Sequence, residues 1–147
     1  MLLPKGAWVV VADGEKAMIL ENKGTPAAPK LAVIARDEAD PVVGASDRPG
    51  RMMDDGPGQR SALEQPDYAR LNAERFATDL VEMLDRRARR GRFEKLVLVA
   101  PPQVLGALRD EMDDTLRGLV VAEIDKTLTN HPIPKMAEII SAEIDSL

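Results

Sequence analysis

Cysteine is absent from the 147 residues, which removes disulfides, thiolate-held zinc and cysteine nucleophiles from consideration. Histidine occurs once, as His131, and one histidine without cysteine argues against a transition-metal site. Followed by Pro132, it reads as a loop residue. Aromatic residues make up only 3% of the chain, so the core has to be built from aliphatic side chains and methionine. No apolar run approaches the roughly 18 residues needed to cross a bilayer. The opening MLLPKGAWVVVADG also lacks the charged, apolar, cleavage-site order of a secretory leader. A cytoplasmic protein without membrane insertion is therefore expected. The phosphate-binding patterns G-x-x-x-x-G-K-[ST] and G-x-G-x-x-G are missing, as is the G-x-S-x-G nucleophile elbow. No nucleotide cofactor, no other cofactor and no bound metal are expected. A net charge of −5 gives no global attraction to nucleic acid or to anionic membranes.

What is present organises itself around FEKLVLVAPP at 93–102. Leu96, Val97, Leu98 and Val99 form a continuous apolar run between Gly91 and a double proline. An unbroken apolar run too short for a free helix is the pattern of a strand buried on both faces of a sheet. Ahead of it, AWVVVA at 7–12 and KAMILEN at 16–22 read as strands joined by Asp13-Gly14, a strong hairpin signal. LAVIAR at 31–36 makes a third strand. Residues 37–67 lose all periodicity and carry repeated Gly and Pro, so a long mobile loop is expected there. A connection of this length in one compact domain is usually functional or disordered.

Residues 67–90 are strongly helical, with Leu71, Ala73, Phe76, Ala77, Leu80, Met83, Leu84 and Ala88 on one stripe. Arg75 with Asp79, Glu82 with Arg86 and Asp85 with Arg89 are spaced for i,i+4 pairing on the solvent side, and Gly91 ends the helix. A second helix is predicted over 102–117, a fifth strand over 119–125 and a last helix over about 134–146. The expected fold is α/β: one domain over 1–147, three layers (α/β/α), with a mixed five-stranded sheet. Its three-strand meander, two βα units and C-terminal helix match a ribonuclease-H-like layout, with right-handed crossovers.

That layout invites a metal nuclease, which needs carboxylates clustered at the ends of the central strands. Asp13 ends the first strand, but the fourth ends in Ala100-Pro101-Pro102, so Asp13 reads instead as the turn residue of the hairpin. The run Arg86, Arg87, Arg89, Arg90 and Arg92 is the one concentrated basic patch. It serves a helix C-terminus, yet five arginines in seven residues exceed what capping needs, so contact with phosphates of RNA or of a membrane is the candidate function. In the long loop, Gly56 and Gly58 flank Pro57 and lead into Gln59 and Arg60, an arrangement that lets backbone approach a partner closely.

Two resemblances follow from these motifs. WVVVADGEKAMIL, DRPGRMMDD, AERFATDLVEML, FEKLVLVAPPQVLGALRDEM and EIDKTLTNHP, spread over nearly the whole chain, resemble the bacterial host attachment proteins. That family is in turn similar to the middle domain of archaeal and eukaryotic class-1 peptide release factors, whose Gly-Gly-Gln loop precedes a long helix. GPGQRSALEQPDYARL at 56–71 looks like a relative of that loop. The resemblance places Gln59 where the catalytic glutamine falls and Arg70 where one of the family's arginines falls. Pro57 interrupts the glycine pair, and Arg60 is inserted before Ser61-Ala62-Leu63. Arg48, Arg51, Gly56, Gly58, Gln59, Arg60 and Arg70 are the candidate binding residues of this stretch, in which acidic residues outnumber arginines between Arg36 and Asp67. The chain has no room for the stop-codon-reading and partner-binding domains of a full release factor, so peptide release by this chain alone is not expected.

Three functions are carried forward. The first is a non-catalytic binding protein of the host attachment family with an unknown protein partner. The second is a ribosome-associated or rescue factor that uses the Gln59 loop and the Arg86–Arg92 patch on ribosomal RNA. The third is a divalent-metal-dependent hydrolase working through Asp54 and Asp55.

Overall fold

Alternation of side chains between two faces explains the centre of the sheet. In β1 (Trp8–Ala12), Trp8, Val10 and Ala12 belong to one core cluster and Val9 and Val11 to another, and all five are buried. The computed structural model describes residues 3–38 and 61–146. Across them β1 is followed by β2 (Lys16–Asn22), β3 (Leu31–Glu38), α1 (Ser61–Arg89), β4 (Leu96–Ala100), α2 (Pro102–Glu111), α3 (Asp114–Arg117), β5 (Val120–Asp125) and α4 (Ile133–Asp145). The strands lie in the order β3-β2-β1-β4-β5. The pairs β1–β2 and β2–β3 are antiparallel, while β1–β4 and β4–β5 are parallel, so β2 alone runs against the rest.

β4 pairs on both edges and is buried on both faces, as its continuous apolar run predicts. Phe76, Ala77, Leu80 and Leu84 of α1 and Leu105 and Leu108 of α2 pack with the Trp8 and Val10 face. Met136, Ile140 and Ile144 of α4 pack with the Val9 and Val11 face. β3 is an edge strand. Its register against β2 slips between Ile19 and Leu20, which pair with Ala35 and Val33, and the bulged residue Ile34 is left 37% exposed.

The elements depart from the sequence reading in four places. β3 runs two residues further, to Glu38. α1 begins at Ser61 rather than Asp67 and passes through Pro66, whose missing N–H removes one bond, to Ala62, near the free N-terminal turns. Leu71 is 43% exposed instead of sharing the buried stripe, beside an open groove between α1 and α2. The helix predicted over 102–117 is two. Met112 is extended (φ −77°, ψ 140°), and the Asp113 side chain caps α3 by accepting from the Leu116 N–H at 2.8 Å.

Gly91 ends α1 as expected. At φ +72° it lets the Arg92 N–H reach back to the Arg87 carbonyl at 3.0 Å and its own N–H reach Ala88 at 2.9 Å. This is a Schellman closure, which favours glycine at the left-handed position. Of the three i,i+4 pairs expected along α1, one is closed, Asp85 to Arg89 at 3.0 Å.

Candidate functional site

Sheet direction sorts the candidate residues into two ends. At one end stop the parallel strands β1, β4 and β5, together with the β1–β2 turn. Ligands of open α/β sheets gather at such an end. Lys16 pairs with Glu38, so the chain leaves β3 here, and it re-enters the described structure at Ser61 in α1. Gly14, at φ +95°, marks where α1 and α2 converge on the turn. A methyl group placed on it would meet Val104 at 3.4 Å and Ala73 at 3.9 Å. From Ala73 back to Ser61 the helix rises about 18 Å at 1.5 Å per residue. Since α1 runs from this end towards the start of β4, its first turns lead beyond the sheet.

Arg48, Arg51, Gly56, Gly58, Gln59 and Arg60 lie outside the described residues, as do Asp54 and Asp55, and of Arg70 only its place on α1 is described. Gln59 stands two positions ahead of the helix.

Asp13 holds this end together. Its Oδ1 accepts the N–H groups of Glu15 and Lys16 at 2.9 and 3.0 Å, and its Oδ2 accepts the Thr129 hydroxyl at 2.6 Å. The last bond joins the β1–β2 turn to the β5–α4 connection across 116 positions of sequence. Burial acts to raise the Asp13 pKa. The Thr129 bond, the two backbone N–H groups and the Lys16 charge outweigh it and set the pKa below the usual carboxylate value. Asp13 is thus the turn residue the sequence implied. Among the described residues no group of three or more carboxylates and histidines is placed to hold a metal ion. His131 is exposed in its loop, its backbone N–H bonded to the Leu128 carbonyl at 3.0 Å. Thr129 escaped the sequence reading, because a single threonine in a loop carries no pattern.

A lowered carboxyl pKa contributes stability above the unfolded-state pKa that is lost as pH falls through the folded one. Thr129→Val removes the strongest of the bonds lowering it. The variant is expected to lose about 1 kcal/mol at neutral pH, the low end for a charge-assisted bond because Asp13 is partly exposed. Its acid unfolding should begin at higher pH than in the wild type. An unchanged acid limb in circular dichroism would show that the bond does not set the Asp13 pKa.

The other end of the sheet, where β1 and β4 begin, carries the arginines. The Trp8 ring stacks on Phe93 at a centroid distance of 4.5 Å, and the Arg87 guanidinium lies 5.9 Å from the Trp8 ring centre, a cation–π geometry. Arg89 is tied to Asp85, while Arg86, Arg90 and Arg92 are exposed. From Ser61 to Arg89 the helix spans about 42 Å. The arginine patch therefore stands at the far end of α1 from Ser61, and the Gln59 segment lies outside the described residues. No ligand of small size bridges that length.

The sequence between residues 6 and 140 matches the model of one protein family, described as Bacterial archaeo-eukaryotic release factor family 12. No curated protein matches the chain. Among the described residues no helix is long and apolar enough to cross a membrane. With the match covering nearly its whole length, the chain belongs to Bacterial archaeo-eukaryotic release factor family 12.

Proposed function

We propose that this protein is a ribosome-associated, release-factor-like factor of the cytoplasm that offers Gln59 to its target from the tip of α1. The family match carries the reading. The position of α1 supports it, since a helix whose first turns lead past the sheet is suited to deliver a short segment into a confined site. The strand order β3-β2-β1-β4-β5 with β2 reversed supports reading the fold as ribonuclease-H-like and three-layered, similar to the release-factor middle domain. In this reading Gln59 takes the place of the release factors' catalytic glutamine, with Gly56, Gly58 and Arg60 around it and Arg48, Arg51 and Arg70 as contacts to RNA.

The test is co-sedimentation of the purified protein with bacterial ribosomes over a salt series. Binding that weakens as salt rises is expected. Gln59→Ala should leave sedimentation unchanged while abolishing any peptide release from loaded ribosomes. No sedimentation at low salt sinks the ribosomal reading, and an unidentified protein partner then becomes the target of search.

A further inference from the structure

The arginine-bearing end of the sheet gathers more positive charge than the sequence run alone reveals. Trp8 pairs with both Glu21 and Leu96, and its N–H bonds to the Lys95 carbonyl at 3.0 Å, so Lys95 lies next to the tryptophan that Arg87 covers. The Lys23 N–H bonds to the Lys30 carbonyl at 2.8 Å just past the end of β2, which brings both lysines to the same end. Lys5, three positions ahead of β1, belongs to this end as well, since the N–H of the next residue, Gly6, bonds to the Asn22 carbonyl at 2.8 Å. All four lysines are exposed. Of the carboxylates here, Asp85 is engaged by Arg89 and Glu21 by Lys23 at 3.4 Å, while Glu82 and Glu94 are exposed and are outnumbered by the arginines and lysines around them. Against a chain whose net charge is −5, this end is a local excess of cations.

A helix C-terminus accounts for only part of it. Cations in the last turn offset the macrodipole, but Arg92 lies beyond the helix and Lys95, Lys23 and Lys30 belong to strand ends. The patch on the helix is wholly arginine, whose planar fork matches phosphate oxygens better than an ammonium does. Arg87 is held over an indole buried to 3% exposure, so part of the surface is fixed before any partner arrives. An anionic membrane is the less suitable partner, because surface binding to lipid relies on apolar side chains entering the interface. The large exposed apolar side chains among the described residues, Ile34 and Leu71, are not at this end.

We infer that this end of the sheet is a binding surface for the phosphate backbone of RNA, with Arg86, Arg87, Arg90 and Arg92 at its centre and Lys95 at its margin. It rests on the release-factor-like reading only for the choice of RNA as the nucleic acid. Standing about 42 Å along α1 from the start of that helix, it gives the protein a second hold on a large ribonucleoprotein, sequence-independent because backbone contacts carry no base information.

The experiment is fluorescence anisotropy of a labelled uridine oligonucleotide of about 20 residues, in parallel with sedimentation on phosphatidylserine-containing vesicles. If four phosphates are neutralised, affinity should fall about 50-fold between about 50 and 200 mM salt. The triple variant Arg86→Glu, Arg90→Glu, Arg92→Glu should weaken RNA binding at least tenfold (about 1.4 kcal/mol) at fixed salt. Arg75→Glu, on an exposed turn of α1 away from this end, should leave it unchanged. Emission from the sole tryptophan, Trp8, verifies that the triple variant keeps its fold. The inference is overturned by wild-type protein that ignores RNA at low salt, by equal losses in the triple variant and Arg75→Glu, or by binding to vesicles alone. Free-RNA binding that fails while ribosome sedimentation persists overturns this surface and leaves the proposed function standing. The reverse result retains the surface and removes the ribosome.

Discussion

Phe76→Ala is expected to destabilise the protein by about 3–5 kcal/mol, the range for emptying an aromatic site in a packed core. Phe76 is 1% exposed and belongs to the cluster of Trp8, Val10, Leu80, Leu98 and Val104. It is one of two phenylalanines in a chain with little aromatic volume, so few neighbouring side chains can swing in to fill the space. A domain of ordinary stability holds only about 5–15 kcal/mol in total, which leaves the variant close to marginal. Urea unfolding should show a lower midpoint with the denaturant slope retained. Leu71→Ala, on the same helix but at an exposed position, should stay within about 0.5 kcal/mol of wild type. A Phe76→Ala loss below about 1.5 kcal/mol would mean that α1 is not seated on the sheet as described. That outcome would also remove the support α1 lends to the proposed presentation of Gln59, because the direction of its first turns is set by the packing of Ala73 and Phe76.

The centre of the fold was legible in the sequence because its physics is local. LVLVA and WVVVA are apolar without interruption, and a strand has no other way to be buried on both faces. Asp13-Gly14 declared a hairpin, and the structure adds only that the same carboxylate also holds Thr129. The limits of α1 and α2 were less legible. Pro66 reads as a breaker, yet α1 tolerates it near its free end. Met112 and Leu116 stand four apart, as in one continuous helix, and this spacing concealed the break that the Asp113 cap creates.

The arginine patch was visible as composition, but its place was not. Its distance from the start of α1 depends on the length of that helix, which the sequence reading understated by six residues at the N-terminus. The lysines that enlarge the patch come from other strand ends, and only the sheet order brings them together. The Trp8–Phe93 stack was hidden for the same reason. The two rings lie 85 positions apart in sequence and meet because β1 and β4 are parallel neighbours.

Asn22 is the clearest case of a residue that pattern could not single out, and its replacement is the second large effect expected. It ends β2 as a polar residue in an otherwise ordinary strand, yet it is fully buried. Its amide nitrogen donates to the carbonyls of Leu3 and Pro4 at 2.9 and 3.3 Å, and its amide oxygen accepts from the N–H groups of Gly24 and Lys30, both at 2.9 Å. One side chain thus joins the segment before β1, the end of β2 and the β2–β3 loop. Asn22→Leu keeps a similar volume and removes every one of these bonds. Stranded backbone groups cost about 1–3 kcal/mol each when buried, and since some of these partners reach water, a total of about 3–5 kcal/mol is expected. Asn22→Asp separates the two halves of the network. Its carboxylate keeps the acceptor role towards Gly24 and Lys30 but turns a negative oxygen on the Leu3 and Pro4 carbonyls. Burial and those carbonyls oppose ionisation, against the Gly24 and Lys30 N–H groups that favour it. At a fully buried position the opposing effects are expected to prevail, so that the deficit against wild type shrinks as pH is lowered through the acid range. Equal deficits for Asn22→Asp at pH 7 and near pH 4 would show that the two N–H groups offset burial and the two carbonyls. A recovery at low pH would show that this amide fastens the start of the chain to the lysine-bearing edge of the proposed RNA surface.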